Sequence, residues 1–174
     1  MNRAGRYDDV SLVSGIDFTE DGRGFAFGDF DKDGNLELGI VSNQSPRVRI
    51  AKATDSADPT ASRDDSYRWV KIRLIGGNET AAPNLELSPR DPVGAILVAR
   101  TASSTRMFQL ARGEGFSVQN SQTMHIGLGK DTKIDKLTIR WPSGRTTVHP
   151  DIMAGSSIRI VETENRDSPR FGNR

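Results

Sequence analysis

Residues 24–41 of the chain read GFAFGDFDKDGNLELGIV, an acidic loop between two short apolar segments. Phe25-Ala26-Phe27 leads into the loop, and Leu38-Gly39-Ile40-Val41 leads out of it. Both segments are too short for helices and contain residues that suit a pleated surface. The stretch therefore predicts a strand–loop–strand unit, and Val48-Arg49-Ile50 alternates as a further strand would.

The loop itself predicts a calcium site. Ca²⁺ takes six to eight oxygen ligands, and carboxylates at loop positions 1, 3 and 5 can converge on one ion if the chain bends at position 6. Glycine makes that bend without steric cost. Asn35 would add its backbone carbonyl. The expected ligands are Asp29, Asp31, Asp33, Asn35 and Glu37.

Two other interpretations of this loop have less support. An EF-hand is excluded because loop position 12 is Ile40, where an EF-hand has a bidentate glutamate, and because the flanks are strand-like. An exposed acidic turn without metal is disfavoured, since three carboxylates within five residues repel one another in the absence of a cation. We expect the ion to rigidify the turn.

A second strand-rich region begins near Tyr67. Val70, Ile72 and Leu74 alternate with polar residues, and similar short apolar segments follow at regular intervals up to Ile160. This spacing predicts an antiparallel β-sandwich or barrel of about six to eight strands. The fold class is therefore all-β, and we place boundaries to give a calcium-loop unit (1–53), a polar linker (54–66), a β domain (67–163) and a flexible tail (164–174).

Composition excludes several classes of site. The chain has no cysteine, so disulfides, thiolate catalysis and iron–sulfur clusters are ruled out. Residues 1–65 carry 8 basic and 13 acidic side chains, and residues 66–174 carry 16 and 10. The basic residues are dispersed, so nucleic-acid binding is not expected. No signal peptide and no apolar segment of about 20 residues is found.

Two segments resemble known domains. Residues 24–34 look like an FG-GAP/VCBS repeat, one blade of an integrin-type β-propeller. Residues 67–150 resemble the ASPIC/UnbV domain that follows such repeats in the cartilage acidic protein family. The second resemblance rests on WVKIRLIGG (69–77), RDPVGA (90–95), RGEGF (112–116), QNS (119–121), HIGLG (125–129) and WPSG (141–144).

The resemblance implies calcium binding in the blades, an extracellular or periplasmic location and a role in interaction or adhesion. Further propeller blades are then expected in a longer parent, of which this chain would be a C-terminal fragment. The expected partner is a protein or carbohydrate ligand, with no nucleic acid and no membrane span.

Catalysis has weaker support in the sequence than binding. His125 lacks a serine or carboxylate at catalytic spacing, and Trp69 and Trp141 fit core positions better than exposed platforms. We therefore predict a non-catalytic, calcium-binding interaction module. The alternative is an enzyme or accessory domain of natural-product biosynthesis that uses the calcium or a pocket. Residues that could contact a ligand are Arg90, Asp91, Arg112, His125 and Trp141.

Overall fold

The computed structural model describes residues 2–3, 5–9, 11–53, 68–78, 82–113, 115 and 118–163. The predicted linker (54–66) and tail (164–174) lie outside these residues. Contacts divide the chain into two compact units, one formed by residues 1–53 with 115–119 and the other by the remainder. Among the described residues, no helix has the length and apolar character needed to cross a membrane.

The first unit is built on a three-stranded antiparallel sheet in the order β3-β4-β5. Its elements are β1 (Asn2–Arg3), β2 (Arg6–Tyr7), one helical turn α1 (Ser11–Ser14), β3 (Gly22–Gly28), β4 (Glu37–Ser42) and β5 (Val48–Ala51). The three strands predicted around the acidic loop are confirmed. Gly28 pairs with Glu37, so the loop closes a hairpin between β3 and β4.

The second unit is a two-layer β-sandwich. Its strands are β6 (Arg68–Ile75), β7 (Ile96–Arg100), β8 (Thr105–Gln109), β9 (Thr123–Gly129), β10 (Lys133–Arg140), β11 (Thr146–Met153) and β12 (Ser157–Val161). One sheet has the order β11-β10-β7-β8 and the other β12-β6-β9. The all-β class is confirmed, and no sheet formed by the described residues closes into a barrel.

One strand pair departs from the predicted antiparallel arrangement. β12 runs parallel to β6, with Ile158 beside Ile72 and Ile160 beside Leu74. The side-chain alternation of a strand shows which face is buried but not in which direction its neighbour runs. The core lies between the two sheets and includes Val70, Ile72, Leu74, Leu97, Ile126, Leu137, Ile139 and Trp141.

Trp141 belongs to this core, with 2% of its surface exposed. Its indole Nε1–H donates to Thr147 Oγ1 at 3.0 Å, which satisfies the one polar atom of the ring. The residues Trp141-Pro142-Ser143-Gly144 form a turn, in which the Gly144 amide donates to the Trp141 carbonyl. The Trp141 ring therefore packs in the core. It is not available to a ligand, so the prediction of Trp141 as a ligand-contact residue is corrected.

A buried carboxylate anchors the long loop between β6 and β7. Glu162, 2% exposed, accepts hydrogen bonds from the Ser88 amide at 2.6 Å and from the Ser143 hydroxyl. The loop lies close against the end of β6, because a Cβ on Gly76 would come within 1.9 Å of the Pro89 carbonyl oxygen. The loop is thus an ordered part of the sandwich at its described residues.

Burial makes His149 a pH-sensitive part of this core. Its Nε2 lies 3.1 Å from Thr147 Oγ1, and desolvation lowers the pKa of the ring below its ordinary value of 6.5. As the pH falls below 6.5, the unfolded chain takes up a proton that the folded chain does not bind. The free energy of unfolding should then decrease by at most about 1.4 kcal/mol per pH unit.

Urea unfolding between pH 7.5 and pH 5.5 tests this effect. We expect wild-type stability to fall with pH, His149→Gln to flatten the dependence, and His125→Gln, at the half-buried second histidine, to retain it. An unchanged slope in His149→Gln would contradict the assignment.

Candidate metal centre

The acidic loop is shaped by hydrogen bonds from its own backbone amides to its carboxylates. The Gly34 amide donates to Asp29 Oδ2 at 3.0 Å, and the Phe30 amide donates to Glu37 Oε2 at 2.8 Å. The Asp33 amide donates to Asp31 Oδ1 at 3.1 Å. Gly34 has a φ of 91°, which confirms the glycine-dependent bend predicted at position 6. One oxygen of each of these three carboxylates is thus used to hold the turn.

Three carboxylates converge at the mouth of the hairpin. Asp29, Asp31 and Glu37 each have an oxygen within 4.8 Å of the others. Two oxygens bound to one Ca²⁺ at 2.3–2.6 Å can lie no farther apart than about 5 Å. The separation of the three carboxylates therefore fits a common ion.

Glu37 supplies the clearest indication that this cluster could hold a cation. Its side chain is 3% exposed, and Oε1 is buried without a hydrogen-bond partner among the described residues. An ionised carboxylate that is buried beside two others is costly unless a cation or donor compensates it. A metal ion at the convergence point would satisfy Oε1 and neutralise the three charges together.

Asp33 and Asn35, the other two predicted ligands, are turned toward each other. Asp33 Oδ1 accepts from the Asn35 backbone amide at 2.8 Å and from the Asn35 side-chain amide at 3.0 Å. Asp33 Oδ2 is 2.6 Å from Lys52 Nζ, and this contact, followed by the Asn35 amide, lowers the pKa of Asp33 to about 2. Asp33 is therefore outside the convergent group, and a ligand role for the Asn35 carbonyl stays a prediction.

Lys52 is the residue at the candidate site that the sequence did not indicate. It follows β5, and the register that pairs Ala51 with Leu38 brings it to the loop end of the sheet. Its ammonium contacts Asp31 Oδ2 as well as Asp33 Oδ2, and these contacts raise the pKa of Lys52. The only signal for it in the sequence is its place one residue after the third strand.

The predicted ligand-contact residues of the second unit are partly assembled. Arg112 pairs with Asp91 at 2.8 Å, and Arg73, which was not predicted, approaches the same carboxylate at 3.6 Å. Arg90 is exposed, and its carbonyl accepts from the Gly76 amide. Asp91 therefore bridges two arginines rather than bracing Arg90, its neighbour in sequence.

His125 lies on the outer face of the β12-β6-β9 sheet. It pairs in register with Lys71 and stacks on the Trp69 ring at a centroid distance of 5.6 Å. Lys71 Nζ lies 4.7 Å from the centre of the same ring. The half-buried Trp69, rather than Trp141, is the tryptophan that could contact a ligand. Arg73 lies on the same face, because its partner Thr123 is two residues before His125 in β9.

Comparison with known protein families gives a match in the second unit. Residues 86–167 match the family model described as ASPIC and UnbV. The second unit therefore carries an ASPIC/UnbV domain. The match covers β7 to β12, while β6 precedes it and completes the same sandwich. A search of curated proteins finds no match.

The ASPIC/UnbV domain is the part of the family prediction that is confirmed. The FG-GAP/VCBS resemblance of residues 24–34 stays a prediction, and the candidate metal centre overlaps that part of the chain. Asp91, Arg112, His125 and Trp141 all lie within the matched residues, whereas Arg73 precedes them.

The buried position of Glu37 generates a test that does not need the ion to be seen. In metal-free protein, Glu37→Gln removes one of three neighbouring negative charges and introduces an amide that can donate to the others. We expect the metal-free variant to melt higher than the wild type and to lose the stabilisation that calcium gives. Thermal melting in EDTA and in calcium measures both effects.

Asp21→Asn is the matched control, because Asp21 pairs with Arg23 outside the loop. It should leave both melting temperatures close to those of the wild type. A Glu37→Gln protein that still gains full stability from calcium would count against Glu37 as a ligand.

Proposed function

We propose that the chain is a non-catalytic interaction module stabilised by one Ca²⁺ in the loop from Asp29 to Glu37. The observation that carries the proposal is Glu37, whose Oε1 is buried and unpartnered among the described residues and whose carboxylate converges with those of Asp29 and Asp31. Both loop ends are fixed by the pairing of Gly28 with Glu37, so an ion bound here would rigidify the β3–β4 hairpin.

The donor chemistry favours calcium over other common ions. The convergent group offers only carboxylate oxygens. Zn²⁺ prefers cysteine and histidine, yet the chain has no cysteine and its two histidines lie in the second unit. Mg²⁺ retains several waters and demands octahedral geometry, whereas Ca²⁺ tolerates a flexible loop with many oxygen ligands.

The first unit also has the surface expected of a part that packs against neighbours. Phe25 is 57% exposed on one face of the β3-β4-β5 sheet, and Ile50 is 55% exposed on the other. The ladder that pairs Ala26 with Gly39 and Gly39 with Ile50 places Ile50 on the face opposite Phe25. Exposed apolar residues on both faces support further blade-like units as partners in a longer protein.

The second unit would supply the ligand-binding surface. Trp69 offers an aromatic face, and Arg73 and Arg112 offer guanidinium groups held by Asp91. Guanidinium groups bind carboxylates and other planar acceptors, and half-exposed indole rings are common at interfaces. These groups suit recognition of a carbohydrate or protein ligand, and an extracellular or periplasmic setting, where calcium is abundant, fits the same role.

Calorimetric titration of calcium into metal-free protein tests the metal site. We expect about one ion per chain and a loss of at least tenfold in affinity for Asp31→Asn, because the variant loses a convergent, charged ligand. Asp21→Asn, outside the loop, should bind as the wild type does. Absence of saturable binding in the wild type would contradict the calcium proposal.

A glycan array probed with the full chain tests the ligand surface. If carbohydrate is the ligand, Arg112→Ala should reduce the signal at least severalfold, since Asp91 loses its nearer arginine and the surface loses a donor. Arg140→Ala, an exposed arginine at the end of β10, is the control and should retain the signal. Equal signals for the two variants would remove this surface from the proposal.

A further inference from the structure

The ammonium group of Lys52 is a cation that lies at the candidate metal centre. Its Nζ contacts Asp31 Oδ2 and lies 2.6 Å from Asp33 Oδ2. The opposite oxygens of both carboxylates are already engaged, since Asp31 Oδ1 accepts the Asp33 amide and Asp33 Oδ1 accepts the Asn35 amide. The ammonium therefore covers the oxygens that the backbone leaves available.

The overlap with the metal centre lies at Asp31. This residue is a member of the group that converges with Asp29 and Glu37, and it is also a partner of Lys52. A calcium ion ligated by Asp31 and an ammonium in contact with the same carboxylate would repel each other at a few ångström. The loop therefore cannot bind Ca²⁺ and the Lys52 ammonium tightly at the same time.

We propose that Lys52 is an internal competitor of Ca²⁺ that lowers the affinity of the loop and stabilises it when no ion is bound. This inference rests on the proposed calcium function. The ammonium carries one positive charge and three hydrogen-bond donors, whereas Ca²⁺ carries two positive charges and binds six to eight oxygen ligands. The ion therefore displaces Lys52 when calcium is abundant, and Lys52 returns when calcium is scarce.

The exposure of the three groups fits such an exchange. The side chains of Lys52, Asp31 and Asp33 are between one third and one half exposed, so Lys52 can swing into solvent without disturbing the core. Oε1 of the buried Glu37, by contrast, gains a partner only when the ion arrives. Lys52 thus neutralises the outer carboxylates of the empty loop and leaves the inner one for calcium.

The consequence is a loop that can hold its turn in both states. Without Lys52, neighbouring carboxylates would repel one another at low calcium and favour opening of the hairpin end. With it, the empty loop retains the backbone hydrogen bonds to Asp29 and Asp31. Lys52 thus lowers the calcium affinity of the loop but keeps the site preformed. Such a site suits a setting where calcium is present at high concentration.

The test compares Lys52→Gln with Lys32→Gln by calcium calorimetry. Lys32 lies in the same loop and carries the same charge, so the control corrects for the general effect of a lost positive charge. Removing the competing charge near a divalent ion should tighten calcium binding by about tenfold in Lys52→Gln. Lys32→Gln should show a distinctly smaller gain.

Thermal melting supplies the second readout, because tighter binding alone does not show what Lys52 does in the empty loop. In EDTA, Lys52→Gln should melt below both the wild type and Lys32→Gln. In saturating calcium, its melting temperature should rise by more than theirs. A larger rise with calcium from a lower starting temperature is expected of a residue that stabilises only the metal-free state.

The outcomes separate this inference from the calcium function itself. Wild-type binding with an unchanged or weaker affinity in Lys52→Gln would overturn the role of Lys52 and leave the calcium site standing. Binding in Lys52→Gln but not in the wild type would contradict the calcium function of the native chain and, with it, the exchange of Lys52 for the ion. No binding in either protein would overturn the calcium function, and the competition with it.

Discussion

The burial of the Glu37 carboxylate at the first position of β4 is the constraint on which the proposed metal centre depends. The pairing of Glu37 with Gly28 closes the hairpin, and the Phe30 amide fixes one carboxylate oxygen while the other stays buried among acidic neighbours. Uncompensated, such an oxygen is a net cost to the folded state. The loop therefore combines a well-ordered backbone with a charge arrangement that is complete only in the presence of a cation.

Two kinds of cation can compensate this loop, and they act at different depths. The Lys52 ammonium reaches the outer carboxylates Asp31 and Asp33. Asp29 and Glu37 are less exposed than Asp31 and Asp33, and we propose that these inner carboxylates are left for the divalent ion. This division explains how one sequence can keep the turn formed without metal and still reserve ligands for it.

Local sequence determined much of the first unit and the alternating strands of the second. Phe25-Ala26-Phe27 and Leu38-Gly39-Ile40-Val41 are strands because their residue types suit a pleated surface, and Gly34 bends the loop because it accepts a positive φ. Lys52 could not be identified in advance, since its position at the loop follows from the β4–β5 register. Pairing registers depend on tertiary packing rather than on the residues of one segment.

The same limit applies to the second unit. The pattern of Val70, Ile72 and Leu74 predicted the buried face of β6, but the parallel alignment of β12 could not be read from alternation. Arg73 was not expected near Asp91, because the two residues are brought together by the long loop that packs back on the end of β6. Trp141 was predicted as a possible ligand-contact residue, but its ring is buried in the core of the ASPIC/UnbV domain.

The most direct measurement is a crystal structure of the protein grown with calcium, with an anomalous difference map. The account predicts a single peak about 2.3–2.6 Å from oxygens of Asp29, Asp31 and Glu37, with Lys52 Nζ displaced from Asp31. An empty loop at saturating calcium, with Lys52 still bridging Asp31 and Asp33, would contradict it.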